Sequence, residues 1–80
     1  MGKKEGVEAI IAKRLPVILR RERKKSGLSR EKLAWQAGVS HRTIVALESH
    51  SVVNPKLSTF LRIANALKLD PGTVINEIIS

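Results

Sequence analysis

A short turn between two helical patterns constrains this chain more than any other feature. Ser29 precedes a predicted helix over residues 30–37, and Ser40 precedes a second one over residues 41–48. Serine is a favoured N-cap because its hydroxyl accepts a hydrogen bond from a backbone N–H of the first helical turn. Gly38 lies between the two patterns, and glycine enters the left-handed conformation that ends a helix without strain. The sequence therefore predicts two helices joined by a tight three-residue turn.

The apolar side chains of this unit predict how the two helices pack. Ala34 is small and lets the helices approach closely, while Val39 is placed to fill the gap at the turn. Ile44 and Leu47 lie on one face of the second helix and are expected to be buried. The polar side chains at the N-terminal end of that helix, residues 41–43, are then left on the outside.

Helix signals divide the rest of the chain as well. Pro16 suits the first position of a helix, so we expect a helix to start there and to end at about residue 25. A fourth helix is predicted over residues 57–67, and a fifth begins at Asp70-Pro71. No segment alternates with the period of a strand. The prediction is an all-α fold, a compact bundle of about five short helices, with residues 1–14 as a basic, amphipathic arm and residues 15–80 as one domain.

Charge and composition narrow the choice of partner. The net charge is +8, and 11 of the 15 lysines and arginines fall at or before Lys32. Such a balance favours a polyanion, although a merely solvated face remains an alternative. The only aromatic residues are Trp35 and Phe60, which disfavours modules that stack bases on rings. With no cysteine and no long apolar run, we expect a protein of the reducing cytoplasm, associated with the nucleoid if it binds DNA.

The chain carries a set of short stretches that form one combined pattern: Leu28-Ser29-Arg30-Glu31-Lys32-Leu33-Ala34, Ala37-Gly38-Val39-Ser40, Thr43-Ile44, Leu47-Glu48, Asn54-Pro55, Ile63-Ala64 and Ala66-Leu67. Together these stretches resemble the phage-repressor and Cro type of helix-turn-helix, the XRE family. The resemblance covers about residues 17–76 and implies a lambda-repressor-like fold that binds double-stranded DNA. It also implies a transcriptional regulator that acts as a homodimer. In the simplest case this regulator is a repressor at a near-palindromic operator. Two features depart from the family pattern: Glu22 stands at a usually apolar place, and the loop after Glu48 lacks the usual glycine.

Site residues follow from the resemblance by position. It implies an ion pair between Arg23 and Glu48. Ala46 could contact only a thymine methyl group. We expect base contacts from His41, Arg42, Thr43 and Ala46, and phosphate contacts from Lys24, Arg30, Ser40, Ser49 and Ser51.

Several alternatives remain open from the sequence alone. Trp35 is expected to pack on the N-terminal arm, or else to form a partner surface. The stripe of Ile75, Ile78 and Ile79 suggests a dimer face. The same domain could instead act as an antitoxin-type or co-regulatory module that holds a small protein through Val7, Ile10, Ile11 or the C-terminal isoleucines, or as an interaction module that has lost DNA binding. No enzyme, no cofactor and no metal site is predicted; His41 and His50 stand without the usual co-ligands of zinc.

Overall fold

Serine side chains cap the start of two helices in the described part of this chain, and Pro71 lies at the first position of another. The computed structural model describes residues 6–50 and 55–80. These residues form five α-helices and no strand, which confirms the predicted all-α bundle. None of the helices in these two ranges is long and apolar enough to cross a membrane. The helices are α1 (Val7–Lys25), α2 (Arg30–Ala37), α3 (His41–Glu48), α4 (Leu57–Ala66) and α5 (Pro71–Ile79).

The turn between α2 and α3 has the predicted geometry. The Ser29 hydroxyl accepts a hydrogen bond from the Lys32 amide at 3.0 Å and begins α2. Gly38 ends α2 with φ 71° and ψ 32°, in the left-handed region. The Ser40 hydroxyl then accepts from the Thr43 amide at 3.1 Å and begins α3. All three capping predictions are confirmed.

The first helix is longer than the sequence signals indicated. α1 begins at Val7, so the prediction that Pro16 starts this helix is wrong. Pro16 instead lies inside α1, where its missing N–H leaves the carbonyl of Ala12 without its helical donor. The helix runs without a break across residue 14, and the division of the chain into an arm of residues 1–14 and a domain of residues 15–80 stays a prediction.

One apolar core holds the five helices together. Leu33, Ile44, Leu47 and Ile63 are each at most 2% exposed and lie at its centre. Ile44 and Leu47 are thus buried as predicted, and they fix which face of α3 points away from the core. Partly buried side chains that pack around the core include Val39, which fills the turn, and Ile10 and Ile11 from the early turns of α1.

Polar contacts hold both ends of α5. Asp70 occupies the predicted N-cap position, but its carboxylate accepts from the Thr73 hydroxyl at 3.0 Å and makes no bond to a backbone N–H. At the other end, Nη1 of Arg14 donates to the carbonyl oxygens of Ile78 and Ser80, both at 3.0 Å. An arginine is favourable there because the last carbonyls of a helix lack helical donors.

Candidate nucleic-acid interface

The first turn of α3 presents two polar side chains to the outside. His41 and Arg42 are exposed, while Ile44 anchors the opposite face of the helix in the core. Within residues 6–50 and 55–80, neither His41 nor Arg42 makes a hydrogen bond or an ion pair. Their donors are thus available to an external partner, and the imidazole and guanidinium have the reach and chemistry to contact base edges.

Thr43 and Ala46 are less accessible than their neighbours. Both are half-buried, and the Thr43 hydroxyl lies 2.8 Å from the hydroxyl of Ser40. They line a shallow groove between α3 and the start of α4, together with Arg42 and the exposed Lys56. The Ser40 hydroxyl, predicted to contact phosphate, is thus already engaged by the amide and hydroxyl of Thr43.

Two side chains on this surface were missed by the sequence reasoning. Val45 is 39% exposed and follows His41 by one helical turn. The four-residue spacing was a signal that could have placed it on the outer face. Lys56 could be found only from the structure, because its place beside Arg42 depends on how α4 packs against α3.

A buried carboxylate at the end of α3 ties three helices together. Glu48 accepts from Nε of Arg23 at 2.6 Å and from Nη2 of Arg23 at 3.0 Å. Arg23 is 6% exposed and Glu48 is 8% exposed. The hydrogen bonds to Glu48 raise the pKa of Arg23, and the negative charge of Glu48 acts in the same direction. The guanidinium is therefore held charged in spite of its burial.

Arg30 is the second arginine on the same carboxylate. Its Nε donates to Oε1 of Glu48 at 3.0 Å, yet its side chain is 42% exposed. Within the ranges described, its two terminal nitrogens make no hydrogen bond. Two guanidinium groups on one carboxylate leave a net charge of +1 at the start of α2. A phosphate oxygen could bind there without displacing Glu48.

The remaining predicted phosphate contacts fall in different surroundings. Lys24 is exposed on α1 and lines a groove with Arg20 and His50. The Ser49 hydroxyl donates to the carbonyl of Ala46 at 3.2 Å, so it is held at the end of α3. Ser51 lies outside the described residues.

His50 is held at the end of α3 by a contact to α1. Its Nδ1 lies 2.8 Å from the Ala12 carbonyl oxygen.

Across the two described ranges, no three histidines, cysteines or acidic residues come together in a way that could hold a metal ion.

An apolar surface lies on α4 and α5, away from the turn. Ile75 is 45% exposed and Ile79 is 67% exposed, whereas Ile78 is only 6% exposed because it belongs to the core. Ile78 is thus largely covered within one chain, but it lines the same apolar groove as Leu57 and Ile75, and its part in the dimer face stays a prediction. Leu57 and Leu61 of α4, which are 68% and 41% exposed, were not predicted to belong to it. Leu57 and Ile75 line one apolar groove.

Trp35 and Val7 also remain on the surface. Trp35 is 81% exposed, so the prediction that it packs on the N-terminal arm is wrong. It points outward from α2, beside Lys32 and Glu31. Of the three side chains that could hold a small protein at the start of α1, only Val7 is well exposed, at 68%, since Ile10 and Ile11 pack on the core.

A comparison with known protein families fits this geometry. The model of a family described as helix-turn-helix matches residues 19–74. The match spans the last seven residues of α1, all of α2, α3 and α4, and the first turn of α5. No curated protein matches the chain.

Proposed function

Because the chain belongs to the XRE-type helix-turn-helix family, whose members are DNA-binding regulators, we propose that it is a sequence-specific transcriptional repressor that acts as a homodimer. In this proposal α3 enters the major groove, and the role is not enzymatic. The observation that carries it is the pair of outward side chains, His41 and Arg42, whose donors have no partner within the ranges described.

Base reading is assigned mainly to Arg42. Its planar guanidinium can donate two hydrogen bonds to O6 and N7 of guanine, a contact worth about 1–3 kcal/mol of discrimination. His41 lies beside it at the same end of α3. Ala46 and Val45 have only methyl groups to offer, and these suit the methyl group of thymine.

Backbone binding is assigned to the cations at the edges of α3. The exposed terminal nitrogens of Arg30 would bind one phosphate while Glu48 holds its Nε. Lys24 and Lys56 lie on either side, one beside the end of α3 and one beside Arg42. Such contacts supply affinity and set the register of the protein on the duplex, but they carry little sequence information.

The homodimer is proposed from the apolar surface on α4 and α5. Leu57, Leu61, Ile75 and Ile79 are all between 41% and 68% exposed. A second copy of the chain would cover these side chains and place two α3 helices about 34 Å apart, in successive major grooves of a near-palindromic site. The protein would then reside on the nucleoid.

Selection of bound sites from random duplex DNA, with analytical ultracentrifugation of the same sample, tests the proposal. We expect an enriched site with two inverted half-sites about one helical turn apart and a sedimenting species of two chains. Enrichment of a single half-site by a monomer would contradict the dimer alone. Failure to enrich any sequence at low salt would contradict DNA reading.

A substitution in the apolar surface separates the dimer from the DNA contacts. Ile75→Lys places a charge where the second copy would pack, and Thr73→Lys adds the same charge elsewhere on the exposed surface of α5. We expect the first variant to sediment as a monomer and the second as a dimer. An antitoxin-type module would give a different result, a monomer that co-purifies with a second small protein.

A further inference from the structure

Pro16 removes a backbone donor from the middle of α1, and a side chain from the end of α3 replaces it. The residue four positions before a proline in a helix has no amide to bond its carbonyl. In α1 this residue is Ala12, and Nδ1 of His50 lies 2.8 Å from its carbonyl oxygen. Since a carbonyl can only accept, Nδ1 carries the hydrogen and donates it.

The bond fixes the chain just after α3 against α1. His50 has φ 63°, a left-handed conformation that costs a non-glycine residue about 1–2 kcal/mol. The side-chain bond to Ala12 gives this strained residue a partner 38 positions away along the chain. The position of the imidazole therefore depends on the carbonyl that Pro16 leaves without a helical donor.

A groove of about 290 Å³ lies beside this contact. Pro16, Arg20 and Lys24 follow one another at four-residue spacing on one face of α1 and form one wall, and His50 and Glu48 form the other. Arg20 and Lys24 are exposed. Neither has a carboxylate within ion-pair distance in residues 6–50 and 55–80.

The other charged side chains of the groove are already paired. Glu48 is held by Arg23 and Arg30, and Arg21 is held by Glu22 and Glu77. The two cations of Arg20 and Lys24 thus remain uncompensated in a concave site. Glu48 also joins this groove to Arg30, because it lines the groove and bonds the Arg30 guanidinium.

We propose that this groove binds the phosphodiester backbone of DNA, with Arg20 and Lys24 each contacting one phosphate, and that His50 is the positioning residue that keeps its two walls together. The proposal rests on the proposed function and adds Arg20 and His50 to the backbone contact already assigned to Lys24.

The salt dependence of DNA binding measures the two phosphate contacts. The probe is the duplex obtained by site selection, with a scrambled duplex of equal length beside it. Each lost phosphate contact is expected to reduce the slope of log K against log salt by about 1. Arg20→Ala and Lys24→Ala should each do so, equally on both duplexes, since a phosphate carries no sequence information.

Lys68→Gln is the matched control, since it removes one exposed positive charge on the other side of α1, near α4 and α5. Its slope should equal that of the wild type. An equal fall of the slope in all three variants would show only an effect of the total charge and would contradict a phosphate site in the groove. Wild-type slopes in both groove variants would also overturn it, together with the backbone contact assigned to Lys24, while leaving base reading by α3 intact. A wild type that binds no duplex would contradict the proposed function itself.

Variants at position 50 test the positioning role separately. His50→Gly keeps both cations and adopts the left-handed backbone without strain, but it loses the bond to Ala12. We expect affinity for both duplexes to fall by about two- to tenfold, the range of one hydrogen bond. His50→Asn tolerates the same backbone and offers an amide donor, so it should recover part of the loss. Equal affinity of the glycine variant and the wild type would contradict the role of His50.

Discussion

Arg21 on α1 and Glu77 on α5 face each other through two parallel hydrogen bonds. Nη1 of Arg21 donates to Oε2 of Glu77 at 2.6 Å, and Nη2 donates to Oε1 at 2.9 Å. These bonds, together with the charge of Arg21, lower the pKa of Glu77 below its usual value. The pair joins α5 to α1. Both side chains remain accessible to water, since each is 44% exposed.

The first prediction concerns the pH dependence of this contact. A carboxylate whose pKa is lowered by folding stabilises the folded state above its unfolded pKa of about 4.3, and this contribution is lost as the pH falls through the lowered value. We expect Glu77→Gln to have a lower Tm than the wild type at neutral pH, with a difference that shrinks below about pH 4. Thermal unfolding between neutral and strongly acidic pH measures it.

Glu31→Gln is the control for the pH series. Glu31 is an exposed carboxylate on α2 with no ion pair in the ranges described. Its substitution removes only the weak attraction between this charge and the start of α2, so Tm should fall less than in Glu77→Gln. A difference between Glu77→Gln and the wild type that stays constant down to strong acid would contradict the role of the Arg21 contact.

The second prediction concerns a strained residue at the end of α4. Lys68 has φ 58°, and the amides of Lys68 and Leu69 bond the carbonyls of Asn65 and Ala64 in the pattern that usually has glycine at this place. Lys68→Gly should stabilise the fold by about 0.5–1 kcal/mol, because relief of strain exceeds the extra entropy of the unfolded chain. Urea unfolding measures the gain. Lys68→Ala removes the same side chain but keeps the strain, and an equal gain in both variants would contradict the explanation.

The third prediction concerns the buried carboxylate that joins α1, α2 and α3. Glu48→Gln leaves the Arg23 guanidinium buried without a counter-charge, and the loss of one partner of a buried pair destabilises by about 3–5 kcal/mol. Arg30→Ala should be much milder, at about 1 kcal/mol or less, since its side chain is partly exposed. Chemical unfolding of both variants provides the comparison. A Glu48→Gln variant as stable as the wild type would show that Arg23 finds another partner.

Local signals made the turn and α3 predictable from the sequence, and long-range contacts limited the rest. Ser29, Gly38 and Ser40 act within four residues of their own positions, so their roles could be predicted. Pro16 gave the wrong helix start because the donor that replaces its amide comes from His50, far along the chain.

The candidate site shows the same division. The exposure of His41 and Arg42 followed from the helical spacing of Ile44 and Leu47. The engagement of Arg30 by Glu48 was not predicted, nor was the proximity of Lys56 to Arg42. Both depend on how separate helices pack, and this is not encoded in the spacing of any one of them.

The fourth prediction tests base reading by Arg42. Arg42→Ala should weaken binding to the selected site by about 1–3 kcal/mol, or about five- to 150-fold, and should reduce binding to a scrambled duplex much less. Arg42→Lys keeps the positive charge but loses the planar fork that donates two parallel bonds to guanine. We therefore expect the lysine variant to match the wild type on scrambled DNA and to lose discrimination on the selected site. Titrations of both duplexes at one fixed salt concentration measure the two effects. If the lysine variant discriminates as well as the wild type, Arg42 contributes only charge, and sequence reading must be assigned to other side chains of α3.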